Sequence, residues 1–405
     1  MIINLAIVII IALLMAFLFE KAKLPGLLGM LFTGVFLGPY MRQIIFETFQ
    51  LKQTIFWEYL FINKDLIHLS SELRTTALIV ILIRAGLGLN REVLNKIGKT
   101  AVKMSCIPGL MEGGIIILAA MYFLKLSFVE AGTLGFIIAA VSPAVVVPSM
   151  LNFKEKGLGK EKEIPTLILA GASIDDVFAI TIFGVFLNLA MGKSQNIVMT
   201  LLNIPFSIIL GIVVGGLLGY LLVKFFKKYR GIRDTKKVLI FMTIAILFHE
   251  LEQFIPIASL IGIMTMGFVI LEKYDILAHR LARKFNKVWV LAEIILFVLI
   301  GSAVNIDEIF TSGFIGLGII AIGLAGRSIG VMISLYKSGL NIREKLFCVI
   351  AYIPKATVQA AIGAIPLSMG LASGNIILAI AVLSIVVTAP LGLIGIRWFG
   401  PKYLS

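Results

Sequence analysis

The sequence predicts an all-α polytopic membrane protein of about 13 transmembrane helices, on three observations. Of its 405 residues 60% are hydrophobic and only 14% are charged, whereas a soluble chain is about half apolar and a quarter charged. Apolar runs of about 17 to 25 residues recur along the whole chain between short basic or Gly/Pro segments. The basic residues are also distributed unevenly among those segments.

The runs fall at about 2–20, 24–40, 73–89, 104–123, 129–151, 164–191, 198–223, 238–251, 255–272, 288–304, 312–336, 346–369 and 375–397. The eighth is short and ends at Glu250. The first has no basic leader and no A-x-A cleavage site, and its apolar stretch exceeds that of a signal peptide, so it is expected to be a retained helix. The longest loop, 41–72, mixes charge with aromatics and has room for a short interfacial helix. No water-soluble domain is visible, so 1–405 is read as a single membrane domain.

The net charge of +14 invites a nucleic-acid reading, which the positions of the bases oppose. With the N-terminus outside, the odd-numbered loops and the C-terminus hold 27 of the 36 lysines and arginines, and the even-numbered loops hold 6. That is the positive-inside pattern. It puts the C-terminus in the cytoplasm and leaves no role for nucleic acid. Cys106 and Cys348 show no metal spacing and read as small apolar side chains. No cofactor is expected.

Ionisable residues inside the spans are the informative ones, each costing about 2.5 to 3.5 kcal/mol on insertion scales. At about 1.5 Å per residue, Glu112, Asp175, Asp176, Arg327 and Lys355 lie roughly 12 to 17 Å from the cytoplasmic ends of their spans. Arg84 and Glu293 lie only about 9 Å in and can snorkel. Asp175 and Asp176 are adjacent, so on a helix they diverge by about 100° and one partner cannot satisfy both. Two close carboxylates resist ionising together. Such a pair is suited to take up a proton when a cation leaves and to lose it when one arrives.

Pro143 and Pro354 stand near the middles of the fifth and twelfth runs, where proline removes a donor and obstructs the preceding turn. The two runs occupy matching places in two possible five-helix units, spans 2 to 6 and 9 to 13, whose odd length gives them opposite membrane orientation. That predicts inverted five-helix repeats with two crossed discontinuous helices meeting at a midplane site. Unwound carbonyls there can ligate a cation, and Lys355 at the break would offset the facing helix dipoles. Gly211, Gly215 and Gly219 form a small-xxx-small ladder, read as close helix packing.

ASIDDVFAI around the aspartates, AGRSIGV around Arg327, PKATVQAAIG after Pro354 and LIRAGLGLN in the third span together resemble the monovalent cation:proton antiporter superfamily, closest to its NHA-type sodium/proton branch. The resemblance covers essentially the whole chain. It implies a homodimer of thirteen-helix protomers in the membrane lipid, working by elevator-type alternating access. The dimerisation part would be roughly 1–72 and 198–304, and the transport core roughly 73–191 and 305–405. Asp176 resembles the principal cation- and proton-binding aspartate and Asp175 its neighbour, so that the pair would ligate the transported Na⁺ or Li⁺. Ser142 resembles a hydroxyl at the first break. Lys355, with Thr357 beside it, resembles the dipole-compensating position of the second.

Arg327 falls where many electrogenic relatives carry a lysine, with Glu112 as its partner. Arginine does not give up its proton in proteins, so electroneutral exchange of Na⁺ or Li⁺ for H⁺ is expected, in a prokaryotic cell (inner) membrane. The alternatives are K⁺/H⁺ antiport and, from another class, a solute symporter of the same inverted-repeat architecture, although SPAVVVP offers little polar pocket. A channel lacks a filter-like segment here. A membrane enzyme is least expected, because His68 and His249 lie near the outer face and His279 in a basic loop.

Overall fold

A computed structural model describes residues 2–49, 55–88, 91–190, 197–255 and 257–404. Among these residues the chain is helical throughout, with no strand. The first two expected spans are α1 (Ile2–Lys21) and α2 (Gly26–Leu37). The loop expected to hold an interfacial helix carries three short ones, α3 (Pro39–Phe49), α4 (Ile55–Leu60) and α5 (Lys64–His68). The third and fourth spans are α6 (Ser70–Gly88) and α7 (Arg91–Phe123). The fifth is a broken pair, α8 (Phe128–Ile138) and α9 (Pro143–Glu155), followed by α10 (Ile164–Ala190) and α11 (Ile197–Lys228).

The short eighth span forms α12 (Asp234–Glu250), and α13 (Ser259–Lys273), α14 (Asp275–Ser302) and α15 (Ile306–Ser334) follow. The twelfth is broken again, into α16 (Ile342–Ala351), α17 (Thr357–Ile362) and α18 (Ile365–Ser368), before α19 (Gly374–Tyr403). Among the described residues, 8 helical stretches are long and apolar enough to cross a membrane, with α8 and α9 together forming one of them. Several helices outrun the apolar segments that announced them. α14 starts at Asp275 and α7 at Arg91, because Lys, Arg and Glu sustain a helix as well as Leu does and hydropathy marks only the immersed part.

Two compact units are formed. The first comprises 1–74, 96–191 and 294–405. Within it Val8 and Ala12 of α1 pack with Leu37, Ile62 and Leu66 and with Val298 and Leu299 of α14. Asn4, 1% exposed, is tolerated in that apolar layer because its amide donates to the carbonyls of Tyr59 and Phe61, each at 2.8 Å. Buried polar groups persist only when so paired. α8 lies against α10, where the rings of Phe136 and Phe186 stack at 5.7 Å. α19 packs on α15 and α16.

The second unit comprises 75–95 and 192–293. Its centre is the contact of α11 with α13, and the glycine ladder is what brings the two backbones together. A Cβ on Gly211 would lie 2.4 Å from the carbonyl oxygen of Ala258, one on Gly215 2.3 Å from that of Gly262, and one on Gly219 3.0 Å from that of Met266. Arg84 belongs to this unit. Its Nε donates to Asn286 at 2.8 Å and its guanidinium lies 5.1 Å over the ring of Trp289. Gly215→Val is expected to force α11 away from α13 at a cost of about 1 to 3 kcal/mol, read as a lower thermal-denaturation midpoint of the purified protein in detergent. An unchanged midpoint would refute the ladder.

Candidate functional site

The site lies where the two broken helices of the first unit meet. α8 stops at Ile138 because the chain leaves the helical path over Ala139–Ser142, and Pro143 restarts it as the first residue of α9. A proline there sacrifices only an N–H that has no helical partner. The second break runs from Tyr352 to Ala356 and contains Pro354 and Lys355. Each break supplies what the other lacks. The Ser142 N–H donates to the Pro354 carbonyl at 2.8 Å, and the Ser142 hydroxyl lies 3.4 Å from both the N–H and the hydroxyl of Thr357. α19 serves the second break as well, since the Lys355 N–H donates to Thr388 Oγ1 at 2.8 Å.

Around this crossing the structure gathers Glu112 from α7, Asp175 and Asp176 from α10, Arg327 from α15 and Lys355 from the second break. All five are at most 9% exposed. Asp175 Oδ2 accepts from the Val141 N–H at 2.9 Å and from Arg327 Nη2 at 2.5 Å. Arg327 Nε donates to the Tyr352 carbonyl at 3.0 Å and lies 3.1 Å from Glu112 Oε2. The guanidinium also lies 5.5 Å over the Tyr352 ring. The same Glu112 oxygen receives Lys355 Nζ at 2.6 Å.

Asp176 is different. Among the described residues it has no hydrogen-bond or ion-pair partner, and its Oδ1 is buried and unsatisfied. At 9% exposure, against 1% for Asp175, it is the more accessible carboxylate of the pair. Oδ1 of Asp175 and Oε1 of Glu112 are buried without partners too. The cluster therefore holds three acids against two bases, one negative charge in excess, with unbonded carboxylate oxygens. Hard oxygen donors of this kind suit a small dehydrated cation or a proton.

The expected pair of Glu112 with Arg327 is present, but it is not isolated. Arg327 bridges Glu112 and Asp175, and Glu112 in turn holds Lys355. The ammonium of Lys355 is on a carboxylate, and the carbonyls at the end of α8 are met by another residue, Gln359. Its Nε2 lies 3.0 Å from the carbonyl oxygen of Ile137, 3.3 Å from that of Ile138 and 3.0 Å from that of Ala140.

Sequence reasoning missed three residues of this assembly. Gln359 was visible as an amide inside the apolar ATVQAAIG, and Tyr352 as the aromatic two residues before Pro354. Thr388 was visible as a hydroxyl two residues before Pro390. The histidines lie elsewhere. His249 Nδ1 is 2.9 Å from Ser259 Oγ, which also donates to Glu252, and the exposed His279 pairs with Asp275 at 3.0 Å.

The chain is 33% identical over 399 residues to the human sodium/hydrogen exchanger 9B2, covering 94% of this chain and 70% of that protein. It is 30% identical over 401 residues to human sodium/hydrogen exchanger 9B1, covering 94% and 73%. These relatives are animal proteins and lend nothing to the expectation of a prokaryotic membrane. Among solved structures, the sodium proton antiporter MjNhaP1 from Methanocaldococcus jannaschii at pH 8 has the same fold, with a TM-score of 0.80 at 19% identity over 99% of this chain and 98% of that one. The family model described as the sodium/hydrogen exchanger, transmembrane, matches residues 8–400, and the chain belongs to that family of integral membrane secondary transporters.

Proposed function

We propose that this protein exchanges Na⁺ for H⁺ at the crossing of the broken helices, with Li⁺ as a substitute for Na⁺, and that the exchange is electroneutral. The observation that carries the reading is the charge balance of the buried cluster, in which Asp176 is the acid left over after Arg327 and Lys355 have engaged Asp175 and Glu112. An uncompensated charge in a low-dielectric interior costs several kcal/mol. One Na⁺ or one proton on Asp176 removes it equally well, and the two cannot occupy the same oxygens together. Competition then couples the flows, and a carrier that crosses only when neutral moves one cation against one proton. The names of the human and archaeal proteins, which specify sodium and hydrogen or protons, support the choice of ions.

Binding is assigned to Asp176 with the free Oδ1 of Asp175, completed by the Ser142 hydroxyl. Arg327 keeps its proton under all working conditions and therefore holds Asp175 as a fixed ligand. The transport core is taken as 73–191 and 305–405, which contains both breaks and all five charges, and the dimerisation part as 1–72 and 198–304. Elevator-type movement of the core in a homodimer carries the loaded site between faces, with the N-terminus outside and the C-terminus cytoplasmic, a reading supported by the distribution of basic loops.

Two measurements test this. In everted vesicles, Asp176→Asn is expected to abolish Na⁺-dependent proton movement while the protein still reaches the membrane and keeps its thermal midpoint; retained activity would refute the assignment. In proteoliposomes with the potential clamped by a potassium ionophore, the rate of exchange by the parent is expected to be independent of voltage. Arg327→Lys, which replaces a group that never titrates by one that can, is expected to introduce voltage dependence. A strong dependence on voltage in the parent itself would exclude the electroneutral cycle.

A further inference from the structure

The three carbonyl oxygens at the end of α8 are held by a single side chain. Ile137, Ile138 and Ala140 present their carbonyls where the helix has ended, so none can find its helical donor, and the C-terminal end of the dipole adds negative potential there. Clustered backbone carbonyls can replace the hydration shell of a potassium-sized ion. They are already taken. Gln359, fully buried on α17, puts its Nε2 within 3.0 to 3.3 Å of all three.

The orientation of that amide is fixed by the contact. An amide nitrogen carries two hydrogens, which are shared among three acceptors, whereas the flipped amide would set an oxygen against three oxygens. The acceptor end, Oε1, is buried without a partner, so the side chain is held by its donors alone. Gln359 is neutral and leaves the charge excess of the cluster untouched. A lysine in its place would cancel that excess.

We infer that Gln359 determines ion specificity: by occupying the α8 carbonyls with a neutral donor, it denies them to the transported ion and confines binding to the carboxylates and hydroxyl on the Asp176 side. A site built on carboxylate oxygens favours a small, strongly dehydrated cation. One extended by three neutral carbonyls accommodates a larger ion with more ligands. Gln359 thus acts on selectivity through the backbone of α8, as a positioning residue. The inference rests on the Na⁺/H⁺ reading above and names the group that keeps K⁺ out.

The test uses the purified full chain in liposomes, with proton flux driven in turn by Na⁺, Li⁺ and K⁺, for the parent, Gln359→Ala and Gln359→Met. Methionine fills nearly the volume of glutamine but donates nothing. Both variants are expected to raise the K⁺-supported rate relative to the Na⁺-supported rate by about tenfold, the order of one hydrogen-bond-sized preference. The half-saturating concentration of K⁺ is expected to fall by more than that of Na⁺.

An ion ratio unchanged from the parent, with only the maximal rate lowered, would make Gln359 purely structural and overturn the inference. A change in Gln359→Ala but not in Gln359→Met would overturn it too, because volume would then be the cause. Failure of both variants to reach the membrane also counts against it, since the inference requires a fold that survives with these carbonyls bare. A parent that drives no proton flux with Na⁺ would instead refute the antiport reading itself, so the two failures are distinguishable.

Discussion

A helix interrupted inside a membrane leaves backbone donors and acceptors without their helical partners, and every other feature of the site depends on how these are satisfied. Each unmet group costs several kcal/mol in hydrocarbon, and the two interruptions here leave several. The hydrogen bond from the Ser142 N–H to the Pro354 carbonyl joins the breaks to each other, so neither can exist in its present form alone. Thr388 then takes the Lys355 N–H, Val141 donates to Asp175, and Gln359 covers the end of α8. The side chains that look like an ion site are in large part the groups that make a broken helix tolerable at that depth.

That dual use explains the arrangement of the charges. Asp175 is not free to act as an independent acid, because one oxygen accepts from both the first break and Arg327. Arg327 in turn is fixed from three sides, by Asp175, by Glu112 and by the Tyr352 carbonyl. The fork of a guanidinium matches that task, and the single ammonium of lysine does not. Space for it is secured from behind as well: a Cβ on Gly171 would meet the Tyr352 hydroxyl at 2.0 Å, so the ring under Arg327 sits where only a glycine leaves room.

The sequence makes the location of this site legible and leaves its wiring hidden. Charges at membrane depth and prolines inside apolar runs are expensive, and expense is visible without coordinates; hence Glu112, Asp175, Asp176, Arg327, Lys355 and both breaks were found together. Partners are a different matter. Depth places Glu112 level with Arg327, but the rotation of α7 and the course of the second break decide that one oxygen of Glu112 receives Lys355 as well. Gln359, Tyr352 and Thr388 escaped because an amide, a tyrosine or a threonine in a transmembrane run is cheap enough to be ordinary. Helix ends were poorly marked for a similar reason, since α7 and α14 continue into basic flanks that favour helix as much as the apolar core does.

The sharing of Glu112 gives the cluster its asymmetry. Had each base taken its own carboxylate, Lys355 would have been free for Asp176, and all acids but one would still be paired, with Glu112 deep in α7 as the one left over. Because Glu112 Oε2 takes both Lys355 and Arg327, while Arg327 also reaches Asp175, two bases engage one oxygen of each of the two most buried acids. The excess charge therefore falls on Asp176, which at 9% exposure is the member of the cluster nearest to access. A titrating group must be reachable by the ions that titrate it, and a fixed charge must be sheltered from them. In the proposed exchange the network assigns those opposite requirements to adjacent residues on one helix, which is what two neighbouring aspartates can do and a single one cannot.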